Sequence, residues 1–185
     1  YEYERLAGLN YIDLWKIPSD VVQQNEPEYY KWRTSELLRR AIDIAKEAHK
    51  GQVDKAGNEY IDHPLRVMIA VHSVSEKIVG VLHDVIEDTD WTFERLEAEG
   101  FTTEIIEALK CVTKLSEDEP YDAFIERVKT NPLAVAVKIK DLADNMDIRR
   151  LNELTEKDFK RLQKYHRAYK ELVEYRKILA KQNSW

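Results

Sequence analysis

The chain has 185 residues and 21.8 kDa, with 29 basic against 35 acidic side chains and a net charge of −6. That length fits one domain with a real core, and an acidic chain without a basic run excludes a nucleic acid duplex as the main partner. Lone Cys111 excludes an internal disulfide and fits a reducing, cytoplasmic setting, while no apolar run approaches the roughly 18 residues of a membrane span and no signal-peptide pattern is present.

Residues 1–33 hold 7 of the 18 aromatic side chains: Tyr1, Tyr3, Tyr11, Trp15, Tyr29, Tyr30 and Trp32. Disordered tails are poor in such residues, so this segment reads as an ordered arm, packed on the domain or on a second copy of the chain. The main domain, 34–185, opens at "TSELLRRAIDIAKEAHKG". Thr34 or Ser35 is the expected cap, Leu37, Leu38, Ala41, Ala45 and Ala48 share a stripe, and Gly51 ends the helix. "GQVDKAGNEYIDHPL" reads as a loop closing on Pro64 at a helix start.

Further helices are expected over 64–72, 75–88, 92–99, 103–112, 120–129, 132–147 and 155–181, with Ser75, Thr92, Thr103 and Thr155 as caps. Thr155 with Asp158 resembles a capping box. No segment alternates with period two. The expected fold is an all-α orthogonal bundle.

"VGVLHDVIEDTDWT" poses the chemical question, because His83, Asp84, Glu87, Asp88 and Asp90 fall within eight positions of one helical stretch. Residues four apart share a helix face, so His83 lies beneath Glu87 and Asp84 beneath Asp88. Like charges that close need an offset, a cation or plain water. His49, His63 and His72 upstream, with Asp141 and Asp144 downstream, could complete a mixed nitrogen–oxygen site suited to Mn²⁺, Fe²⁺ or Zn²⁺. Alone, "His-Asp" is a weak signal: a histidine on an apolar helix face is usually a hydrogen-bonded core residue.

The wider pattern is stronger. "AHKGQ", "DKAGNEYIDHPL", "GVLHDVIEDT", "CVTKL" and "VKIKDLADNM" follow in order from about Ala41 to about Leu172. Together they resemble the hydrolase domain of the RelA/SpoT alarmone family, especially its small stand-alone hydrolases, within the HD phosphohydrolase superfamily. The resemblance implies an HD-type helical bundle that holds Mn²⁺ through His63, His83, Asp84 and Asp141. It makes Glu87 and Asp88 the catalytic carboxylates and places Lys55 and Asn145 against the nucleotide. Asp144 stands where the family has His, and is expected to be a carboxylate behind the ligands or a solvated one.

The implied reaction is attack of water on the 3′ phosphorus of guanosine tetraphosphate, releasing pyrophosphate and GDP. One departure is Asp54, which occupies the place of a family Arg beside the base and phosphates. An anion there should raise the KM for a highly charged alarmone, and Asp54→Arg should lower it. Asp54 therefore also favours an alternative, a phosphomonoesterase acting on another nucleotide such as a 2′-phosphorylated dinucleotide. A weakly catalytic nucleotide-sensing module, its cleft covered by the aromatic arm, is a third reading. His49 is expected to be a structural hydrogen-bonder, Tyr60 a packing residue, and Lys138 a solvated or phosphate-facing lysine.

Overall fold

The structure, a computed structural model, describes residues 26–182 apart from 115, 117 and 152. Most of the expected arm over 1–33, with its packing and any role in self-association, lies outside the described residues. The chain divides between Glu36 and Leu37, and the unit from Leu37 onward holds the core and the site.

Helix α1 (Glu26–Ala48) runs through Thr34 and Ser35, so neither caps it. It turns Leu37, Ala41, Ile44 and Ala45 into the core. Gly51 follows with φ +80°, the left-handed geometry that suits glycine after a helix. Helices α2 (Asp62–Ala70) and α3 (Val74–Leu82) come next. The expected helix over 75–88 breaks at His83–Asp84, and a single turn, α4 (Val85–Asp88), resumes beyond it. The break escapes pattern reading because the amide of Asp88 still donates to the carbonyl of Asp84 at 2.9 Å, so the four-residue spacing continues across it.

Helices α5 (Phe93–Ala98), α6 (Thr103–Val112) and α7 (Tyr121–Lys129) lead to α8 (Pro132–Asn145); a 3-10 turn (Ile148–Arg150) precedes α9 (Glu156–Gln182). Thr92 caps α5 as expected, whereas Ser73 and Thr102, each near the residue expected, cap α3 and α6. Ser73 and Glu76 form a full capping box. At α9 the Thr155 amide and hydroxyl donate to Asp158 Oδ2 at 3.1 and 2.6 Å, and the Asp158 amide returns to Thr155 Oγ1 at 3.3 Å.

Helix α8 runs through the centre, packed against α2, α3, α6, α7 and α9. Its Ala134, Val135, Val137, Ile139 and Leu142 are buried, because a helix enclosed by neighbours must be apolar on several faces. The described residues contain no strand; one isolated antiparallel bridge, Val53 to Glu59, pinches the loop after α1. No described helix is long and apolar enough to cross a membrane.

Candidate metal centre

The loop between α1 and α2 is built to deliver His63. The amide of Asp54 donates to the carbonyl of Asn58 at 2.8 Å, and Asp54 Oδ1 accepts the amides of Ala56 and Asn58 at 2.8 and 2.9 Å. Asp54 is thus a turn-making residue of the Asx kind, a role that requires an acceptor oxygen and that Arg cannot fill. The carboxylate thus has a local structural task besides the anionic one expected of it, and Asp54 borders the cavity described below. The loop returns through the amide of Tyr60, which donates to Gln52 O at 3.0 Å, and α2 begins two residues later.

His63 from α2, His83 after α3 and Asp141 from α8 converge, with one donor atom of each within 4.8 Å of the others, and all three are buried. His63 Nε2 lies 3.1 Å from Asp141 Oδ1 and 3.6 Å from Asp84 Oδ2. His83 Nε2 lies 3.2 Å from Asp84 Oδ2 and 3.5 Å from Asp141 Oδ1. His49 is also buried, but its Nδ1 donates to Gln52 Oε1 at 2.8 Å, and it stays outside the cluster.

Both imidazoles are oriented from behind. His83 Nδ1 donates to Gly80 O at 2.8 Å, and His63 Nδ1 donates to Asp144 Oδ2 at 2.7 Å. Each Nε2 therefore faces the carboxylates. Asp144 is itself gripped by Arg66, whose Nε and Nη2 donate at 2.7 and 3.1 Å. His83 Nε2 is buried without a well-directed hydrogen bond. A buried imidazole nitrogen beside two carboxylates is a donor arrangement that fits a divalent cation.

Asp141 Oδ2 pairs with Lys138 Nζ at 2.7 Å, and its Oδ1, the oxygen facing the histidines, also accepts the side-chain Nδ2 of Asn145 at 2.6 Å. Lys138 is 14% exposed, so it is neither solvated nor turned to a substrate phosphate. Tyr60 is more than a packing residue, because its hydroxyl donates to Asp84 Oδ2 at 2.7 Å.

The titration behaviour follows. Burial works against charge on His63, yet Asp141 and Asp144 outweigh it and push the imidazole up to about 10. Burial likewise opposes charge on Asp141, but Lys138 and the two histidines hold it well below the usual carboxylate range. Asp88 is raised, first by burial and then by the charge of Asp84.

Glu87 and Asp88 lie one turn on, Glu87 exposed and Asp88 open to solvent on one side while its carboxyl is crowded by Tyr60 and Asp84 on the other. Glu87 Oε2 accepts the amide of Lys114 at 3.2 Å. A cavity of about 280 Å³ opens beside His63 between Lys55, Tyr60, Asn145 and Arg161. Lys55 is half-exposed there, with Nζ 3.4 Å from Asp158 Oδ1.

Arg66 and Arg161 were not singled out in the sequence, and Lys138 and Tyr60 were assigned other roles there. Arg66 stands three residues after His63 and Lys138 three before Asp141, spacings that share a helix face and could have flagged both. Tyr60 and Arg161 carry no such signal, since their roles depend on contacts across the fold.

No family model matches the chain. A protein named guanosine-3′,5′-bis(diphosphate) 3′-pyrophosphohydrolase, from Aquifex aeolicus, is 32% identical over 123 residues, 60% of this chain and 18% of that protein. One named probable GTP pyrophosphokinase, from Mycobacterium leprae, is 29% identical over 131 residues, 64% of this chain and 16% of that protein. The chain thus spans less than a fifth of the length of either relative. The solved structure of a metazoan SpoT orthologue described as hydrolysing ppGpp matches with a TM-score of 0.62 and 23% identity, over 75% of this chain and 84% of that one. The resemblance to the RelA/SpoT hydrolase domain is borne out, and the all-α, HD-type fold with it.

Proposed function

We propose that the chain is a metal-dependent hydrolase that cleaves guanosine 3′,5′-bis(diphosphate) to GDP and pyrophosphate, the activity in the name of its Aquifex relative. The observation that carries this reading is the cluster itself: two back-anchored imidazoles whose Nε2 atoms face Asp84 and Asp141. The synthetic activity named for the Mycobacterium relative is not proposed here, since less than a fifth of that protein is matched.

The residues that would hold the ion are His63, His83, Asp84 and Asp141, and the mixed donor set suits Mn²⁺. A divalent cation held there supplies Lewis acidity toward a phosphoryl oxygen and favours ionisation of a neighbouring water. The chain's own groups do the rest. Asp88, raised by burial and by Asp84, takes the proton that water loses as its oxygen bonds to the 3′ phosphorus. The bond from that phosphorus to the ribose 3′ oxygen breaks, the 3′ oxygen regains a proton, and pyrophosphate leaves. Glu87, steadied by the Lys114 amide, orients the water. Lys55 and Asn145 line the cavity that seats the nucleoside.

A second reading, phosphate removal from a phosphorylated dinucleotide, is favoured by one observation. A further cavity of about 380 Å³ adjoins the first through Lys55 and Leu151, leaving room beyond one nucleotide. Assaying the Mn²⁺-loaded protein and His83→Ala against both substrates, with separate detection of pyrophosphate and phosphate, decides between them. Pyrophosphate from the tetraphosphate, abolished in His83→Ala, is expected; phosphate released only from the dinucleotide overturns the first reading.

A further inference from the structure

Gln52, just past the end of α1, is engaged through all four of its polar groups. Its amide donates to the carbonyl of His49 at 3.0 Å, and its own carbonyl accepts the amide of Tyr60 at 3.0 Å. Its side chain reaches a distant part of the sequence, where Nε2 donates to the carbonyl of Asp88 at 3.0 Å. Oε1 accepts Nδ1 of His49 at 2.8 Å. Only one arrangement satisfies both side-chain contacts. A carbonyl oxygen cannot donate, so the NH₂ end of Gln52 faces Asp88 and its oxygen faces His49. The His49 ring therefore carries a proton on Nδ1. That ring is 2% exposed and its Nε2 is buried without a hydrogen bond, so its one polar side-chain contact is Gln52.

What Gln52 holds is the end of α4, a helix of four residues closing at Asp88. A helix that short is not stable alone, and its last carbonyls find no partner within it. Outside contacts therefore decide where it lies. The Thr89 hydroxyl donates to Val85 O at 2.6 Å, but that bond stays within the turn. The Gln52 bond instead joins the Asp88 backbone to the loop after α1. The same residue places Tyr60, whose hydroxyl donates to Asp84 Oδ2 at 2.7 Å. The Tyr60 ring lies 5.0 Å from His49 and 6.1 Å from His63. One side chain and one carbonyl thus tie the turn that carries Asp88 and the loop that delivers His63 to a single buried histidine.

We propose that Gln52, locked by His49, is a positioning residue that holds the Asp88 turn where its carboxyl meets the reacting water. This rests on the proposed function, in which Asp88 takes a proton, and extends it to a pair of residues outside the histidine–carboxylate cluster. A small displacement of a proton acceptor lowers the rate without changing what binds. Replacing the Gln52 side chain leaves its backbone bond to Tyr60 in place and releases only the Asp88 end. Its loss therefore falls on kcat and spares KM.

Gln52→Glu is close in shape, keeps an oxygen for His49 Nδ1 and removes the donor to Asp88 O. In steady-state hydrolysis of guanosine 3′,5′-bis(diphosphate) by the Mn²⁺-loaded chain it should lower kcat about tenfold, with KM and metal affinity within about twofold. Gln52→Met, which adds no charge, should fall as far. His49→Asn, whose amide can donate to Gln52 from the place of Nδ1, should keep most of the rate. Added to Asp88→Asn, Gln52→Glu should cost less than about twofold more, because nothing is left to position. Losses that multiply in the double variant, or a kcat unchanged by Gln52→Glu and Gln52→Met, overturn the proposal. Hydrogen exchange supplies a readout without turnover: the amides of 85–89 should exchange about fivefold faster in Gln52→Glu, and those of α8 at the wild-type rate. Equal exchange over 85–89 overturns the proposal as well. Faster exchange there in a protein whose wild type does not cleave the tetraphosphate overturns the proposed activity alone.

Discussion

Asp144 takes the first of its two expected places, as a carboxylate behind His63. Its carboxylate fixes the tautomer and direction of His63 while Arg66 holds it in place. Asp144→Asn should weaken metal binding about 10- to 100-fold, the usual cost of losing such a partner, which metal titration would show. Glu87→Gln and Asp88→Asn should keep the metal and lower kcat about 10²-fold; unchanged turnover in both makes them surface carboxylates.

Asp54 carries a different expectation now that its carboxylate is seen to close a turn. Asp54→Arg removes that acceptor and should raise KM by loosening the loop. Asp54→Asn keeps an acceptor oxygen and should leave KM within about twofold. Steady-state kinetics at one salt concentration separates the two effects. The clustered histidines and aspartates were legible because each stands in a short local motif. Tyr60 was not, since its partner Asp84 is remote in sequence and joined only by the fold.

At the scale of elements, the approach of α2 and α3 sets the distance between His63 and His83. Gly80 permits it: a Cβ there would stand 3.3 Å from Met68 Cα, and its carbonyl also anchors His83. Gly80→Ala would gain about 1 kcal/mol in helix propensity but must displace backbone, at a cost of about 1–3 kcal/mol. The helices should part slightly, so metal affinity should fall more than thermal stability does.

Helix caps act locally. Asn131 Oδ1 accepts the amides of Leu133 and Ala134, and Asn131→Ala should cost about 1 kcal/mol in urea unfolding. At α9, hydrogen bonds from Thr155, with Lys55 nearby, lower Asp158 to about 2. A depressed carboxylate adds stability above its unfolded value near 4 and loses it as pH falls toward 2. The melting-temperature gap between wild type and Asp158→Ala should therefore narrow between about pH 4 and pH 2. Helix positions were largely readable from apolar stripes and caps. The break at His83–Asp84 was not, because two turn residues preserve the spacing on both sides.

For the whole molecule, the buried α8 carries Asp141 into a core that also receives His63 and His83 from α2 and α3. A cation shared by three elements should stabilise the fold by mass action, by about 2.7 kcal/mol at a concentration 100 times its Kd. For a chain of this size that is roughly 5–10 °C in melting temperature, lost on adding a chelator. The central claim is that water attacks the 3′ phosphorus at this centre, and hydrolysis of guanosine 3′,5′-bis(diphosphate) in ¹⁸O-labelled water with Mn²⁺ tests it most directly. The account predicts GDP without label and pyrophosphate carrying one ¹⁸O, with neither formed by His83→Ala. Label in GDP, release of inorganic phosphate in place of pyrophosphate, or undiminished turnover in His83→Ala would contradict it.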